Sequence, residues 1–128
     1  MREEDGFTLI ELLLVVLIIA VLAAIAIPVF MTQRERAWNV QVKSTLRNAA
    51  TAQESFATDN QGSYATTVAD LIDEGLRFGV TDVAFADADI VATGPTSYCM
   101  EAASTYKATI IWHHDSEVGS PREGVCTP

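Results

Sequence analysis

One acidic residue inside an apolar run has the type and the position to take part in function. Glu11 lies five positions after Gly6, and no Lys, Arg or His occurs between Phe7 and Gln33. A carboxylate in such a segment is costly and calls for a partner. Cleavage between Gly6 and Phe7 would give Phe7 a positively charged amine, which could pair with Glu11 of its own chain or of a neighbouring copy. The alternative is that the Glu11 side chain has no such partner and extends to the membrane interface.

Two other clusters contain residue types that bind metals, but neither has the spacing of a metal site. The run at 113–115 is His-His-Asp, and adjacent strand residues point to opposite faces, which favours a solvated strand end. Asp82, Asp87 and Asp89 carry oxygens that suit calcium, yet they lack the spacing and the glycine of an EF-hand loop. No GxSxG motif or phosphate-binding loop occurs. The sequence therefore predicts no catalytic residue, no bound metal and no cofactor.

The apolar run that holds Glu11 is long enough to cross a membrane. Leu12 to Met31 are twenty residues, which span about 30 Å at a rise of about 1.5 Å per residue. A secretory signal peptide would have a basic start and a small-residue cleavage site after the run. Here the first six residues hold one arginine and three acidic residues, and no such site precedes Arg34. We therefore expect the segment to be retained.

The rest of the chain can bury only a small core. The whole protein has 128 residues, which is one domain's worth, and the part outside the membrane is marginal without a covalent staple. Cys99 and Cys126 could supply a disulfide, which would place them in an oxidising compartment. Two free buried thiols are the alternative. Neither cysteine belongs to a CxxC motif, so the pattern does not indicate zinc or a thioredoxin-like site.

The charge balance argues against nucleic acid as a partner. The net charge is −9 for the whole chain, and it becomes −7 when the leader's one arginine and three acidic residues are removed. Such an acidic soluble part gives no general electrostatic reason to bind a phosphate backbone. We therefore expect no direct binding of nucleic acid.

The periodicity beyond the apolar run predicts that the helix continues and becomes amphipathic. A mostly apolar stripe recurs at helical spacing, and no proline or glycine interrupts residues 31–60. A helix over about 8–58 is predicted, then a turn at 59–62. A short helix over 68–74 follows, with Thr67 as its N-cap and Gly75 as its C-cap. The stripe consists of Trp38, Val42, Leu46, Ala49, Gln53 and Phe56.

The C-terminal half has the pattern of a small antiparallel sheet. Strand-like runs occur at 80–86, 89–92, 97–103 and 107–113, separated by turn-forming residues. We expect their inner face to cover the helical stripe. The tail from Asp115 to Pro128 has little apolar content and is not expected to form a core element. The predicted fold class is α+β, with a long N-terminal helix packed against a small antiparallel head.

The N-terminal sequence resembles that of a known family. Gly6-Phe7-Thr8-Leu9-Ile10-Glu11, with the apolar run and Pro28 after it, is similar to the class III signal and N-terminal helix of type IV prepilins and type II secretion pseudopilins. The resemblance implies that a prepilin peptidase cuts after Gly6 and methylates the new amine of Phe7. It also implies that Glu11 recruits the subunit into a filament and that the helix bends or melts near Pro28. The leader departs from the family pattern, because it is acidic here and is usually basic.

The resemblance also divides the chain. It implies a removed leader at 1–6, a transmembrane and filament-core segment at 7–31, an amphipathic half-helix at 32–58 and a globular head at 59–128. In the head, Cys126 would pin the tail to the strand that carries Cys99, as in the C-terminal disulfide-bounded loop of type IV pilins. The stretches at 98–102, 112–116 and 124–126 are also similar to pilin heads of Gram-positive bacteria.

Three functions are compatible with these features. The resemblance favours a major pilin, a homo-oligomeric subunit that spans the cytoplasmic membrane once before assembly. A peptidase and methyltransferase would process it, and an assembly platform with its motor would build it into an extracellular pilus for adhesion, motility or DNA uptake. The alternative is a type II secretion pseudopilin or a minor pilin. The third is a single-span membrane protein with an extracytoplasmic binding head, which would leave Gly6, Phe7 and Glu11 unexplained.

Overall fold

A computed structural model describes residues 6–79, 81–92 and 96–127 of the chain. The elements in chain order are α1 (Leu9–Asp59), α2 (Val68–Asp73), β1 (Val83–Ala84), a 3-10 turn (Asp87–Asp89), β2 (Ile90–Ala92), β3 (Tyr98–Ser104), β4 (Lys107–Asp115) and β5 (Arg122–Glu123). The chain divides between Arg36 and Ala37 into two compact units. Three predicted features lie outside the described residues: the leader apart from Gly6, the start of the strand predicted from Val80, and the turn-forming Gly94 and Pro95 between two of the predicted strands.

The first unit contains the apolar half of α1, whose side chains are exposed. Leu12, Ile25 and Phe30 keep 58%, 66% and 61% of their surface in solvent. Among the described residues, α1 is the one helix that is long and apolar enough to cross a membrane. The helix continues through Pro28, whose missing N–H leaves a carbonyl of the preceding turn without its helical donor.

In the second unit, the remainder of α1 forms one wall of the core. Val42, Leu46 and Ala49 from the middle of the predicted stripe are fully buried. They belong to the same hydrophobic cluster as Tyr98 and Met100 of β3. The two ends of the stripe are half-buried. The predicted packing of the helical stripe against the sheet is confirmed.

Gln53 is the polar member of the stripe, and the backbone of the next segment explains its burial. Its Nε2 donates to the carbonyl of Ala65 (2.9 Å), and its Oε1 accepts the N–H of Ala65 (2.8 Å). A buried amide is tolerated when its groups are hydrogen-bonded in this way. The two bonds tie the chain that leaves α1 back onto the helix.

The helix α2 begins after its predicted N-cap Thr67, and it ends one residue earlier than predicted, with Glu74 and not Gly75 as its C-cap. Thr67 Oγ1 accepts the N–H of Asp70 (3.2 Å) and donates to the Asp70 carboxylate (2.6 Å). At the other end, Gly75 has a φ of +99°, a left-handed conformation that glycine adopts without strain. Its N–H donates to the carbonyl of Ile72 (3.0 Å). Leu71 is the buried residue of this short helix.

The strands form an antiparallel sheet in the order β1-β3-β4-β5, with β2 also paired to β3. The register places Met100 opposite His114 and Ala102 opposite Trp112, and it shifts after Ala103. Met100 and Ala102 are buried, so this face of β3 covers α1. The fold is α+β, a long N-terminal helix with a small antiparallel sheet, as the sequence predicts.

The strands predicted over 80–86 and 89–92 are wrong in extent, since β1 has only two residues and a 3-10 turn separates it from β2. The cause is hydrogen bonding by two aspartate side chains, one to a neighbouring turn and one to the start of α2. The Asp87 carboxylate accepts the N–H of Val68 (2.6 Å), and the Asp89 carboxylate accepts the N–H of Ala86 (2.8 Å). An aspartate that bonds backbone three residues away, as Asp89 does, favours a turn over a strand. The short exposed strand β5 in the tail was not predicted either.

Candidate functional site

Glu11 and Thr8 form a closed hydrogen-bonded pair at the start of α1. The Glu11 carboxylate accepts the backbone N–H of Thr8 (3.0 Å) and its hydroxyl (2.6 Å), while Thr8 Oγ1 accepts the N–H of Glu11 (3.3 Å). This is the capping box that a Thr-x-x-Glu sequence forms, and it satisfies N–H groups that no helical carbonyl can reach. The role of Thr8 was missed at the level of sequence, although its spacing from Glu11 is the signal for it.

The peptide bond between Gly6 and Phe7 lies in an exposed part of the chain. Phe7 keeps 79% of its surface in solvent, and a side chain built on Gly6 would meet no atom within 4 Å. The fold itself therefore does not require glycine at position 6. A requirement for glycine would have to come from an enzyme that binds this bond.

The helix that follows presents an uninterrupted apolar surface. Every Phe, Leu, Ile, Val and Met from Phe7 to Met31 is exposed. Soluble monomers rarely expose a continuous apolar surface that runs along several helical turns, and such a surface marks a site of contact with a membrane or another protein. Glu11 is the one charged residue of this segment and lies at its N-terminal end. The surface requires lipid or other protein around it.

Cys99 and Cys126 form a disulfide that closes the C-terminal tail onto the sheet. Their Cα atoms are 5.9 Å apart, and Cys99 lies on β3 with 1% of its surface exposed. Glu101, two residues along β3, adds a second tie because its carboxylate accepts the N–H of Cys126 (2.6 Å). No sequence signal points to Glu101, since the contact depends on where the tertiary fold brings the tail.

Aromatic contacts join α1 to the sheet. The Lys43 Nζ atom lies 3.7 Å from the centre of the Trp112 ring, an attractive position for a cation. The Trp112 Nε1–H donates to Asn39 (3.4 Å). Trp38 stacks on Tyr106 with ring centres 5.1 Å apart. The aromatic residue Trp38 of the stripe thus serves to pack the head on its helix.

The aspartates considered for calcium are engaged in other contacts. The Asp82 carboxylate accepts hydrogen bonds from Tyr106 (2.9 Å) and Gln41 (3.3 Å). Asp87 and Asp89 bond backbone N–H groups. In the described ranges, no group of three His, Cys, Asp or Glu side chains is arranged to hold a metal.

The two histidines of β4 have different surroundings, and the solvated strand end expected for them is wrong, because His114 is buried and His113 is half-buried. His114 is 6% exposed, and its ring is stacked with that of Tyr98. Burial lowers the pKa of His114 and raises the pKa of Tyr98, because it disfavours the charged form of each. His113 lies against Gly124 of the tail. The Nδ1 atoms of both histidines are buried without a hydrogen-bond partner in the described structure.

Comparison with known proteins identifies relatives of both the helix and the head. The family described as the prokaryotic N-terminal methylation motif matches residues 1–27. The type IV wide pilus major component of Thermus thermophilus is 39% identical over 125 residues, which cover 98% of this chain and 88% of that protein. The type IV major pilin protein of Myxococcus xanthus is 42% identical over 79 residues, 60% of this chain and 36% of that protein. The type II secretion system core protein G of Pseudomonas aeruginosa is 36% identical over 59 residues, 46% of this chain and 42% of that protein.

The length of the match to the Thermus thermophilus pilus component decides the family. A match over 98% of the chain takes in both the apolar helix and the sheet of the head. The methylation motif covers the segment with the Gly6–Phe7 bond and Glu11. The structure agrees with the whole-chain relative and with the methylation motif: it has a long exposed apolar helix and a small antiparallel head closed by a disulfide. The chain belongs to the type IV pilin family.

Proposed function

We propose that the chain is a major pilin, the structural subunit that polymerises through its N-terminal helix into an extracellular type IV pilus. One observation carries the proposal: the relative that matches nearly the whole chain is a major pilus component. The exposed apolar half of α1 supports it, because such a surface needs lipid or copies of itself around it. Polymerisation replaces lipid contacts by contacts between copies.

The N-terminal end is processed before assembly in this proposal. A prepilin peptidase cuts the exposed bond between Gly6 and Phe7, and the amine of Phe7 is methylated. The matching methylation motif supports this step. So does the absence of any steric need for glycine at position 6. The chain then divides into the leader at 1–6, the filament-core segment at 7–31, the amphipathic half-helix at 32–58 and the head at 59–128.

Glu11 serves assembly by pairing with the Phe7 amine of a neighbouring copy. In the uncut chain, Thr8 supplies the hydrogen bonds of the carboxylate. Cleavage creates a cation next to Thr8, at the same end of α1, so the carboxylate gains a charged partner. Between apolar helices an unpaired charge is strongly unfavourable, and a complementary pair avoids it. Pro28 weakens the helix locally and lets it bend as copies pack.

The subunit lies in the cytoplasmic membrane as a single span before it is assembled. Its head is outside the cytoplasm, where an oxidising environment permits the bond between Cys99 and Cys126. An assembly platform and its motor then move the subunit into the pilus on the cell surface. The role is structural, and no catalytic activity is part of the proposal.

Mass spectrometry of filaments sheared from the cell surface tests this function. If the chain is a major pilin, it dominates the filaments, begins at Phe7 and carries one methyl group on the amine. A strain that lacks the gene then has no such filaments. Filaments built from another protein, with this chain absent from them, would overturn the proposal.

A pseudopilin or minor pilin is the second candidate function, because the chain is also similar to a type II secretion core protein. Such a subunit would be processed in the same way and would be nearly absent from sheared filaments. Abundance therefore separates the two candidates. A further result in favour of the second would be loss of protein secretion, with normal surface filaments, in the deletion strain.

A further inference from the structure

Two aromatic rings stack at the start of the unit that contains the head. Trp38 of α1 is the second residue of that unit, and Tyr106 lies in the turn between β3 and β4. Their ring centres are 5.1 Å apart, with 16° between the ring planes. Trp38 is half-buried, while Tyr106 keeps 58% of its surface exposed. The two residues form the Trp38–Tyr106 pair, which presents an aromatic surface to the outside.

Hydrogen bonds hold Tyr106 in place. The neighbouring Thr105 hydroxyl donates to the carbonyl of Thr81 (2.7 Å). The Tyr106 hydroxyl donates to the Asp82 carboxylate (2.9 Å), whose other oxygen accepts a hydrogen bond from Gln41 of α1 (3.3 Å). The oxygen of Tyr106 is therefore engaged within the head, and a partner would meet its ring. A surface that is fixed before binding loses less conformational freedom when it binds.

The pair lies a short distance along the chain from the apolar run. Trp38 follows Met31, the last residue of that run, by seven residues in the same helix. Seven helical residues advance about 10 Å, whatever direction the head takes from the span. The headgroup layer is about 5 to 8 Å thick on each side of a bilayer, and helical side chains tilt toward the N-terminus. Trp38 therefore comes within reach of the headgroups, a level at which Trp and Tyr are enriched.

Positive charge is concentrated in the same part of the chain. Residues 32–43, named here the basic segment, hold three basic residues and one acidic residue, whereas residues 44–128 hold four basic and twelve acidic residues. Asp82 is an acidic group in contact with the pair. Basic residues next to a membrane span are attracted to anionic lipid. The basic residues of the segment are Arg34, Arg36 and Lys43.

The side of the membrane makes this charge informative. In the proposed function the basic segment lies outside the cytoplasm, whereas the positive-inside rule favours basic flanks on the cytoplasmic side. An anionic partner on the outer side would compensate for this placement. Lipid headgroups are the partner that the segment meets first, because it directly follows the span along the chain.

We propose that the Trp38–Tyr106 pair and the basic segment seat the head on the headgroups of a leaflet that contains anionic lipid, before the subunit enters the pilus. The aromatic surface inserts among the headgroups, and Arg36, which is exposed, pairs with lipid phosphates. This inference rests on the proposed function, because that function places the apolar run in the bilayer. It adds which part of the head meets the membrane.

Tryptophan fluorescence in vesicles tests the position of the pair. The full-length chain has two tryptophans, so Trp112→Phe leaves Trp38 as the one reporter. A control chain combines Trp38→Phe and Trp112→Phe with Phe56→Trp, which moves the reporter eighteen residues further along α1. Both are placed in vesicles of phosphatidylglycerol and phosphatidylcholine, with bromine near either the headgroup end or the methyl end of the acyl chains. We expect shallow bromine to quench Trp38 at least about twofold more than deep bromine, and neither to quench the control.

A pair of charge variants tests the role of anionic lipid. Arg36→Gln and Arg122→Gln remove the same charge from two exposed arginines, and the second lies on β5, outside the basic segment. In the chain with Trp38 alone, Arg36→Gln should lower the ratio of quenched to unquenched Trp38 about fivefold, as read from fluorescence lifetimes. Arg122→Gln should leave the ratio unchanged. Vesicles of phosphatidylcholine alone should remove the difference between the two variants.

The possible outcomes distinguish the inference from the function beneath it. A chain that does not float with the vesicles would overturn both the membrane seat and the membrane stage of the proposed function. A chain that floats, with Trp38 quenched no more than the control, would overturn only the seat. Equal effects of Arg36→Gln and Arg122→Gln would overturn the role of anionic lipid. Absence of quenching, together with loss of sheared filaments in Arg36→Gln, would overturn the lipid seat and assign the surface to a neighbouring copy.

Discussion

Glu11 and Thr8 are joined by three hydrogen bonds at the first turn of α1, with the Glu11 carboxylate accepting both the backbone N–H (3.0 Å) and the hydroxyl (2.6 Å) of Thr8. These bonds hold the carboxylate at the N-terminal end of α1, a few residues after the Gly6–Phe7 bond. In the proposed function, Glu11 therefore serves two steps in succession: it caps the helix before cleavage and pairs with the new amine of Phe7 after it.

The charge of Glu11 is expected to be needed for assembly and not for membrane insertion. Glu11→Ala makes the segment more apolar, so the chain inserts, but a buried amine without a partner costs several kcal/mol, on the order of 3 to 5. Processed subunit should accumulate in the membrane while surface filaments are lost. Immunoblots of membrane and sheared fractions measure this. Glu11→Gln should resemble Ala and Glu11→Asp should be intermediate, whereas normal filament yield from Glu11→Ala alone would refute the pairing.

Thr8 is expected to contribute through the helix cap alone. Thr8→Ala removes the cap and should lower the stability of the first turn by about 1 kcal/mol, with a modest decrease in filament yield. Thr8→Ser keeps the hydroxyl and should behave as the wild type. A Thr8→Ala chain as defective as Glu11→Ala would mean that the cap, and not the charge, is what assembly requires.

Gly6 is expected to be required by the peptidase and not by the fold. Because a Cβ at this position meets no atom within 4 Å, Gly6→Val should leave the head and its disulfide unchanged. Intact-mass measurement of membrane subunits should find residues 1–6 still attached and the amine of Phe7 unmethylated. Efficient cleavage of the Gly6→Val chain would contradict the assignment of the processing site.

The disulfide is expected to carry a large part of the stability of the head. Cys126→Ser opens a loop with a sequence separation of 27, for which the chain-entropy estimate is about 3.5 kcal/mol. The tail should become sensitive to protease, and the urea midpoint of the detergent-solubilised chain should fall. Glu101→Gln weakens only the hydrogen bond to Cys126 (2.6 Å) and should cost about 1 kcal/mol. Equal stability of the wild type and Cys126→Ser would show that the bond does not form in the cell.

His114 is expected to make the head less stable in acid. Burial lowers its pKa in the folded chain, whereas the unfolded chain keeps the ordinary value of about 6.5. The unfolded state therefore binds the proton first, so the contribution of His114 is complete above pH 6.5 and is lost as the pH falls toward the lowered pKa. Urea titrations of the wild type and His114→Phe at several pH values measure this. The difference between the two chains should change below about pH 6.5, and a constant difference would exclude the titration of His114 as the cause.

Local patterns in the sequence were enough to predict the buried face of α1 and the position of α2. The period of Val42, Leu46 and Ala49 identified the buried side of α1 because a helix repeats its faces every 3.6 residues. Thr67 marked the start of α2 and Gly75 marked its end to within one residue, because capping residues act on the nearest turn. The strands predicted over 80–86 and 89–92 were wrong in extent for a different reason. The Asp87 carboxylate bonds the N–H of Val68 in α2, and a contact between two elements leaves no local pattern in the sequence.

The sequence by itself predicted the family, the apolar helix with Glu11 near its start and the fold class, because motifs and periodicities among residues close together in the chain indicate each of them. Only the tertiary structure decided that Glu101 holds Cys126, that Gln53 bonds Ala65, and that Arg47 shares a cleft with Ser116. These contacts join residues from different elements. Their geometry follows from how the sheet packs on α1, and no periodicity or spacing along the chain encodes that packing.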